Sequence, residues 1–139
     1  MSAQHPATPS AIVTGGSRGI GRAIAHVLAE SGFAVTVCGR DTEALDGVVA
    51  ELQALAPAQG IVEDLGDAGA PARIVERHRD AFGSLNALVN NAGFGSAKAI
   101  TETSDRRLAH QVELNFATPV RFYRERGHGG DVADRRGRS

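Results

Sequence analysis

The sequence predicts an α/β protein: a Rossmann-like, doubly wound parallel sheet, truncated after about four βα units. Three observations predict it. Short apolar runs alternate with amphipathic stretches from residue 11 to about residue 123. A glycine turn, Thr14-Gly15-Gly16-Ser17-Arg18-Gly19-Ile20-Gly21, joins the first run to the first amphipathic stretch. A second string, Asn90-Asn91-Ala92-Gly93, closes the fourth run. Repeated strand–helix units favour parallel strands with helices on both faces.

Each element has its own signal. Ala11–Thr14 reads as the first strand, and a helix follows from about Arg18 to Ser31. Ile20, Ala23, Ile24, Val27 and Leu28 recur at the spacing of one helical face, and Gly32 stands where a helix-ending glycine belongs. Phe33–Val37 is the second strand, and Thr42–Leu55 the second helix, with Leu45, Val48, Val49 and Leu52 on one stripe. Gly60–Val62 is a short third strand. Pro71–Phe82 is a third helix, with proline in its first turn and Ile74, Val75, His78 and Phe82 inward. Leu85–Asn90 is the fourth strand. A fourth helix begins near Thr103–Asp105 and carries Leu108, Val112, Asn115 or Phe116, and Val120.

The 139 residues suffice for one domain with a real core. Apolar content of 42% and charged content of 22% are those of a soluble globular protein. A net charge of −1 points to no nucleic-acid or membrane partner, and no apolar run is long enough to span a bilayer. The polar start, Met1 to Ser10, has no basic and apolar leader pattern. The single cysteine, Cys38, excludes an internal disulfide framework and fits the cytoplasm. The five histidines share no metal-ligand spacing, so no metal site is expected. Residues 1–9 are expected to be a flexible N-terminus, 10–123 a partial dinucleotide-binding domain, and 124–139 a disordered or aberrant tail. Residues 121–139 hold six of the fifteen basic residues and little apolar surface to offset ordering entropy.

A strand, a glycine turn and a helix in that order make a phosphate cradle. Gly15 allows a sharp turn, Gly19 and Gly21 allow close approach, and the helix amino end attracts the anion. No Lys-Ser or Lys-Thr pair follows the last glycine, so this is not a P-loop. With spacing Gly-x-x-x-Gly-x-Gly and Asn90-Asn91-Ala92-Gly93 at the fourth strand, the chain resembles the short-chain dehydrogenase/reductase family of the compact type. The match covers about the N-terminal half of the family pattern, from Ser10 to about Tyr123.

The resemblance implies a nicotinamide dinucleotide held by Gly15, Ser17, Arg18, Gly19, Ile20, Gly21, Arg40, Asp64, Leu65, Asn90, Ala92 and Gly93. Arg18 and Arg40 stand where a 2′-phosphate would lie, which favours NADP(H) over NAD(H), although Asp41 follows directly. The alternative for the two arginines is a solvated surface role. Asp64 would meet the adenine amino group; its alternative is a helix cap. Asn91 reads as a brace without ligand contact. Asn115 lies four residues before Pro119, whose ring strips the Asn115 carbonyl of its helical partner, so a kink is expected there. In the family, an asparagine at this position holds a water on the proton path; a merely solvated Asn115 is the other reading.

The family moves a hydride to or from a carbonyl or secondary alcohol, and a Tyr-x-x-x-Lys pair with a serine handles the proton. Here the one tyrosine, Tyr123, is followed four residues on by Gly127, and the one lysine, Lys98, precedes the fourth helix. No catalytic serine, tyrosine or lysine is assigned. The expected function is therefore the cofactor-binding half of an oxidoreductase, whose carbonyl or alcohol substrate needs the missing half. The alternatives are a non-catalytic NADP(H)-binding module and a truncated or frameshifted remnant, the change to arginine and glycine past residue 120 being what a shifted frame in GC-rich DNA produces. Family members often assemble through their fourth and fifth helices, which leaves a homo-oligomer open.

Overall fold

The computed structural model describes residues 8–92 and 100–127; Gly93, Lys98 and residues 1–7 and 128–139 lie outside the described set. Four strands, β1 (Ser10–Thr14), β2 (Ala34–Gly39), β3 (Ala58–Val62) and β4 (Ala87–Asn90), form one parallel sheet in the order β3-β2-β1-β4. Between them run α1 (Gly19–Glu30), α2 (Thr42–Gln53) and α3 (Ala70–Phe82). After β4 come a 3-10 turn (Ile100–Glu102), α4 (Asp105–Val112), a π-helical turn (Glu113–Ala117) and α5 (Thr118–Gly127). This is the doubly wound arrangement that the alternating pattern predicts.

Strand side chains alternate between faces, and both faces are buried. Ile12, Cys38 and Ile61 point to one side, where Ile74 and Val75 of α3 and Phe122 of α5 cover them. Val13, Val35 and Val37 point to the other, under Ala25 and Ala29 of α1 and Leu45, Val48 and Leu52 of α2. Local chemistry sets the helix ends. The Asp41 carboxylate accepts from Ala44 N at 3.1 Å, and Ser104 Oγ accepts from Arg107 N at 3.2 Å. Gly83 closes α3 at φ +78°, a left-handed conformation that glycine adopts without strain.

Four readings change. The face that α1 lays on the sheet is Gly21, Ala25 and Ala29, flanked by Ile24 and Leu28, while Ile20 is 74% and Val27 61% exposed. Small residues let the helix sit close, which a hydrophobicity stripe does not register. On α4 and α5 the stripe of Leu108, Val112, Phe116 and Val120 faces out, with Phe116 69% exposed. The covered face is Leu114, Thr118 and Phe122, because α5 packs on α3 from one flank only. The helical segment also continues through Arg124–Gly127, past the expected boundary at Tyr123. Arg79 Nη2 donates to the Arg126 carbonyl at 2.9 Å and Arg126 Nη2 to the Asn86 carbonyl at 3.2 Å, which ties that end down. Finally, Pro9, just before β1, is tied to β2, since its carbonyl accepts from Ala34 N at 2.9 Å.

Candidate functional site

The chain runs outward from β1 to β2 and β3, then returns to the other side of β1 for β4. The crevice beyond the carboxyl ends of the strands at such a reversal is where an open α/β sheet binds ligands. The glycine turn lies there. Gly15 has φ +64° and Gly19 φ +55°, both in the left-handed region. Gly21 serves a different need: a Cβ there would fall 2.3 Å from the Gly15 carbonyl oxygen and 2.4 Å from Asn91 Nδ2. Gly16, to which the spacing argument gives no role, is also required, since its Cβ would lie 2.6 Å from Val37 Cγ1.

The turn is clamped to the end of β4. Thr14 Oγ1 accepts from Asn91 N and Ala92 N, each at 3.0 Å, and Asn91 Nδ2 donates to the Gly15 carbonyl at 3.1 Å. Asn91 is therefore a brace, as its sequence reading expects. Above this clamp the amino end of α1 stands open. Arg18, its N-cap residue, is extended (φ −148°, ψ 160°), makes no side-chain capping bond, and is followed by no acidic residue in the first turn. First-turn N–H groups and the positive end of the helix dipole are left to an incoming anion.

Beside the turn is a cleft of ≈ 260 Å³ that gathers Gly15, Ser17, Arg18, Arg40, Asp64, Leu65 and Ala92 from the predicted set. Such a volume fits one nucleoside, below the roughly 300–1,000 Å³ of drug-sized sites. Four further residues line it that the sequence reading did not place: Gly39, Asp41, His110 and Leu114. Asp41 had a signal, its helix-capping position after β2. His110 and Leu114 had none, because α4 and the π-helical turn reach the cleft from far along the chain. A wider depression of ≈ 640 Å³ at the opposite end of the sheet, beside Leu55, Pro57 and Phe82, has no charged side chain in its lining among the described residues and offers an anion nothing.

Arg18 is not free in this cleft. Its Nη2 lies 2.5 Å from Asp41 Oδ2, while the other Asp41 oxygen caps α2. Arg40 is exposed. Asp64 Oδ1 accepts from Gly66 N at 2.9 Å, so it closes a turn, and the N-cap of α3 is Gly69, not Asp64. Leu65 is buried and its carbonyl accepts from Thr118 Oγ1 at 2.6 Å. Burial pushes the Cys38 thiol up to about 12, with the Glu63 charge adding to it, so this sulfur is an inert core group.

The remaining predicted residues stand apart from the cleft lining. Gly19, Ile20 and Gly21 form the first turn of α1 above it, and Asn90 ends β4 with its Nδ2 buried and without a hydrogen-bond partner among the described residues. Gly93 falls outside the described residues. Asn115 is exposed within the π-helical turn that precedes Pro119. That turn is the distortion expected of a helix meeting a proline. Tyr123 is exposed on α5. No described helix is long and apolar enough to cross a membrane.

Known proteins share this arrangement. The family model described as short chain dehydrogenase matches residues 9–126. A 3-oxoacyl-(acyl-carrier-protein) reductase of rhamnolipid biosynthesis from Pseudomonas aeruginosa is 42% identical over 83 residues, 60% of this chain and 32% of that protein. The structure of L-sorbose reductase from Gluconobacter frateurii complexed with NADPH and L-sorbose superposes with TM-score 0.81 at 30% identity, covering 86% of this chain and 46% of that one. A short chain dehydrogenase from Burkholderia cenocepacia in complex with NADP gives TM-score 0.84 at 34% identity, over 86% and 50% of the two chains. The chain spans less than half the length of the curated relatives it matches.

Proposed function

Because the chain belongs to the short-chain dehydrogenase family, we propose that its glycine turn and cleft hold a nicotinamide dinucleotide, NADP(H) in preference to NAD(H). The observation that carries the reading is the uncapped amino end of α1 above a turn that needs glycine at Gly15, Gly19 and Gly21. An anion is what such a terminus lacks. The orphaned Asn90 Nδ2 supports it, since a buried donor without a partner is costly until a ligand oxygen arrives.

The residues fit the group. Gly15, Ser17, Gly19, Ile20 and Gly21 would surround the diphosphate. Arg18 and Arg40 would flank a 2′-phosphate, with charge-assisted bonds that a bare 2′-hydroxyl does not reward. Asp64 and Leu65 would orient the adenine, Asn90 would line the cofactor, and Ala92 and Gly93 would leave room for the ribose. When bound, the dinucleotide supplies the hydride donor or acceptor. The NADPH and NADP named with the two solved relatives support this choice of cofactor.

The reaction class we propose is hydride exchange with a carbonyl or secondary alcohol. It also needs a proton donor or acceptor at the substrate oxygen. Asn115 would hold a water on that path. These 139 residues contain no Tyr-x-x-x-Lys pair, so this chain is read as the cofactor-holding half, without turnover by itself. A cytoplasmic setting and a family-like homo-oligomer complete the reading. A non-catalytic dinucleotide-binding module is the second reading, and the exposure of Tyr123, the one tyrosine, away from the cleft lining favours it.

Calorimetric titration of the full chain with NADPH and NADH, run beside turnover assays on a carbonyl panel, tests these points. Tighter binding of NADPH supports the cofactor assignment. Failure of the folded chain to bind either nucleotide at millimolar concentration refutes it. Turnover by this chain alone overturns the proposed lack of chemistry.

A further inference from the structure

At the amino ends of the strands, opposite the cleft, the face under α3 is polar where the rest is apolar. Ser10 of β1, Thr36 of β2 and His78 of α3 are all fully buried there. The imidazole is bonded at both nitrogens: Nδ1 is 2.7 Å from Thr36 Oγ1 and Nε2 is 3.0 Å from Ser10 Oγ. The neighbours decide which way each bond runs. Ser10 Oγ donates its one hydrogen to the Ser84 carbonyl at 2.6 Å, so toward His78 it accepts. The histidine proton therefore sits on Nε2, and Nδ1 accepts from the Thr36 hydroxyl. Thr36 Oγ1 in turn accepts from Gln59 Nε2 at 3.0 Å. The result is one directed chain from β3 through β2, α3 and β1 to the loop before β4, with no vacancy for a second imidazole proton.

A proton added at Nδ1 would turn Thr36 from donor to acceptor and leave its own hydrogen without an outlet in a buried layer. Among the described residues no carboxylate acts on the ring, and only the Ser84 backbone favours the added charge. Thr36, Ser10, Ser84 and Gln59 are uncharged, and Cys38, on the same face of β2, is a neutral thiol. Phe82 meets the ring edge-on at 5.2 Å. The charged group that acts on it is a cation, Arg79, adjacent on α3.

The same chain fastens β4. Ser10 N donates to Asn86 Oδ1 at 2.9 Å, and Asn86 N donates to the Ser10 carbonyl at 3.0 Å. We propose that His78 is an acid-sensitive latch: neutral, it locks Ser10 and Thr36 in the arrangement that holds the start of β4 to the sheet, and protonated, it releases that edge.

Burial pushes His78 down to about 4, with Arg79 adding to it and the Ser84 backbone opposing it, from an ordinary 6.5. The unfolded chain takes the proton first as pH falls. Stability from this group is thus complete above pH 6.5, declines between 6.5 and about 4, and is flat below. The test is urea unfolding of the full chain, followed by circular dichroism from pH 7.5 to 4, for the natural sequence and for His78→Gln. Glutamine keeps an acceptor and a donor but cannot titrate. Other groups contribute alike to both chains, so the ratio of their unfolding constants isolates His78. That ratio should rise by up to about tenfold per pH unit, toward a limit of about 300-fold. Should His78→Gln fail to fold, imidazole 15N spectra of the natural chain decide: an Nε2–H neutral ring that persists in the folded form at pH 5.5 supports the latch. Parallel pH profiles for the two chains, an Nδ1–H tautomer, or an imidazolium in the folded protein at pH 5.5 would overturn it.

Discussion

Gly21→Ala places one methyl group where the structure has no room for it. The new carbon would stand 2.3 Å from the Gly15 carbonyl oxygen and 2.4 Å from Asn91 Nδ2, between the partners of a 3.1 Å hydrogen bond. Forcing a methylene-sized group into a packed site costs about 1–3 kcal/mol. Loss of the bond between Asn91 and the turn adds about 1 kcal/mol. Replacing a helical glycine by alanine returns about 1 kcal/mol through backbone entropy. The net expectation is a loss of about 1–3 kcal/mol. Gly47 is the control: it lies in α2 with nothing within 4 Å of its would-be Cβ, so Gly47→Ala should gain about 0.5–1 kcal/mol. Urea unfolding at pH 7.5 reads both changes, and NADPH titration reads the displacement of the turn in Gly21→Ala. If Gly21→Ala is as stable as Gly47→Ala and binds the nucleotide as the natural chain does, the steric account of the glycine turn is wrong.

Three other substitutions probe separate joints. Thr14→Val removes the acceptor shared by Asn91 N and Ala92 N; Asn91 N keeps the Val89 carbonyl at 3.1 Å, so orphaning the half-buried Ala92 N should cost about 1–3 kcal/mol in urea unfolding. Asp41→Asn keeps a side-chain oxygen to cap α2 but frees Arg18 from its counter-charge. The ratio of NADPH to NADH affinity by calorimetry should rise about fivefold, the effect of one screened charge a few ångströms away, and an unchanged ratio would show that this carboxylate is not felt at the ribose. Arg73→Met releases Glu63, whose carboxyl Arg73 holds below the usual range, and Asp67, held down first by the Gly69 N–H and then by Arg73. Depressed carboxylates lend stability above their ordinary pKa and lose it as pH falls through that range, so the variant's acid unfolding between pH 5 and 3 should be less steep than that of the natural chain.

Much of the site was legible because its requirements are local. A left-handed turn needs glycine at Gly15 and Gly19, and a strand before and a helix after give that turn its purpose. Asn91 could be read as a brace from its place at the end of β4. What escaped were contacts between residues distant along the chain. Asp41 closes on Arg18 across two turns, and His110 reaches the cleft from α4. Helix faces misled for a related reason. A stripe of large apolar residues announces burial only if something covers it, and on α1 close packing chose Gly21, Ala25 and Ala29 instead.

The residue pattern alone determined the alternation of strands and helices, the parallel sheet and the glycine turn, because period, turn chemistry and capping act within a few residues. Tertiary structure decided which helix faces are covered, which cation has a counter-charge, and how Ser10, Thr36, Gln59 and His78 come to share one chain of protons. Those outcomes depend on distances through space between strands and helices, and such distances exist only once the sheet has formed.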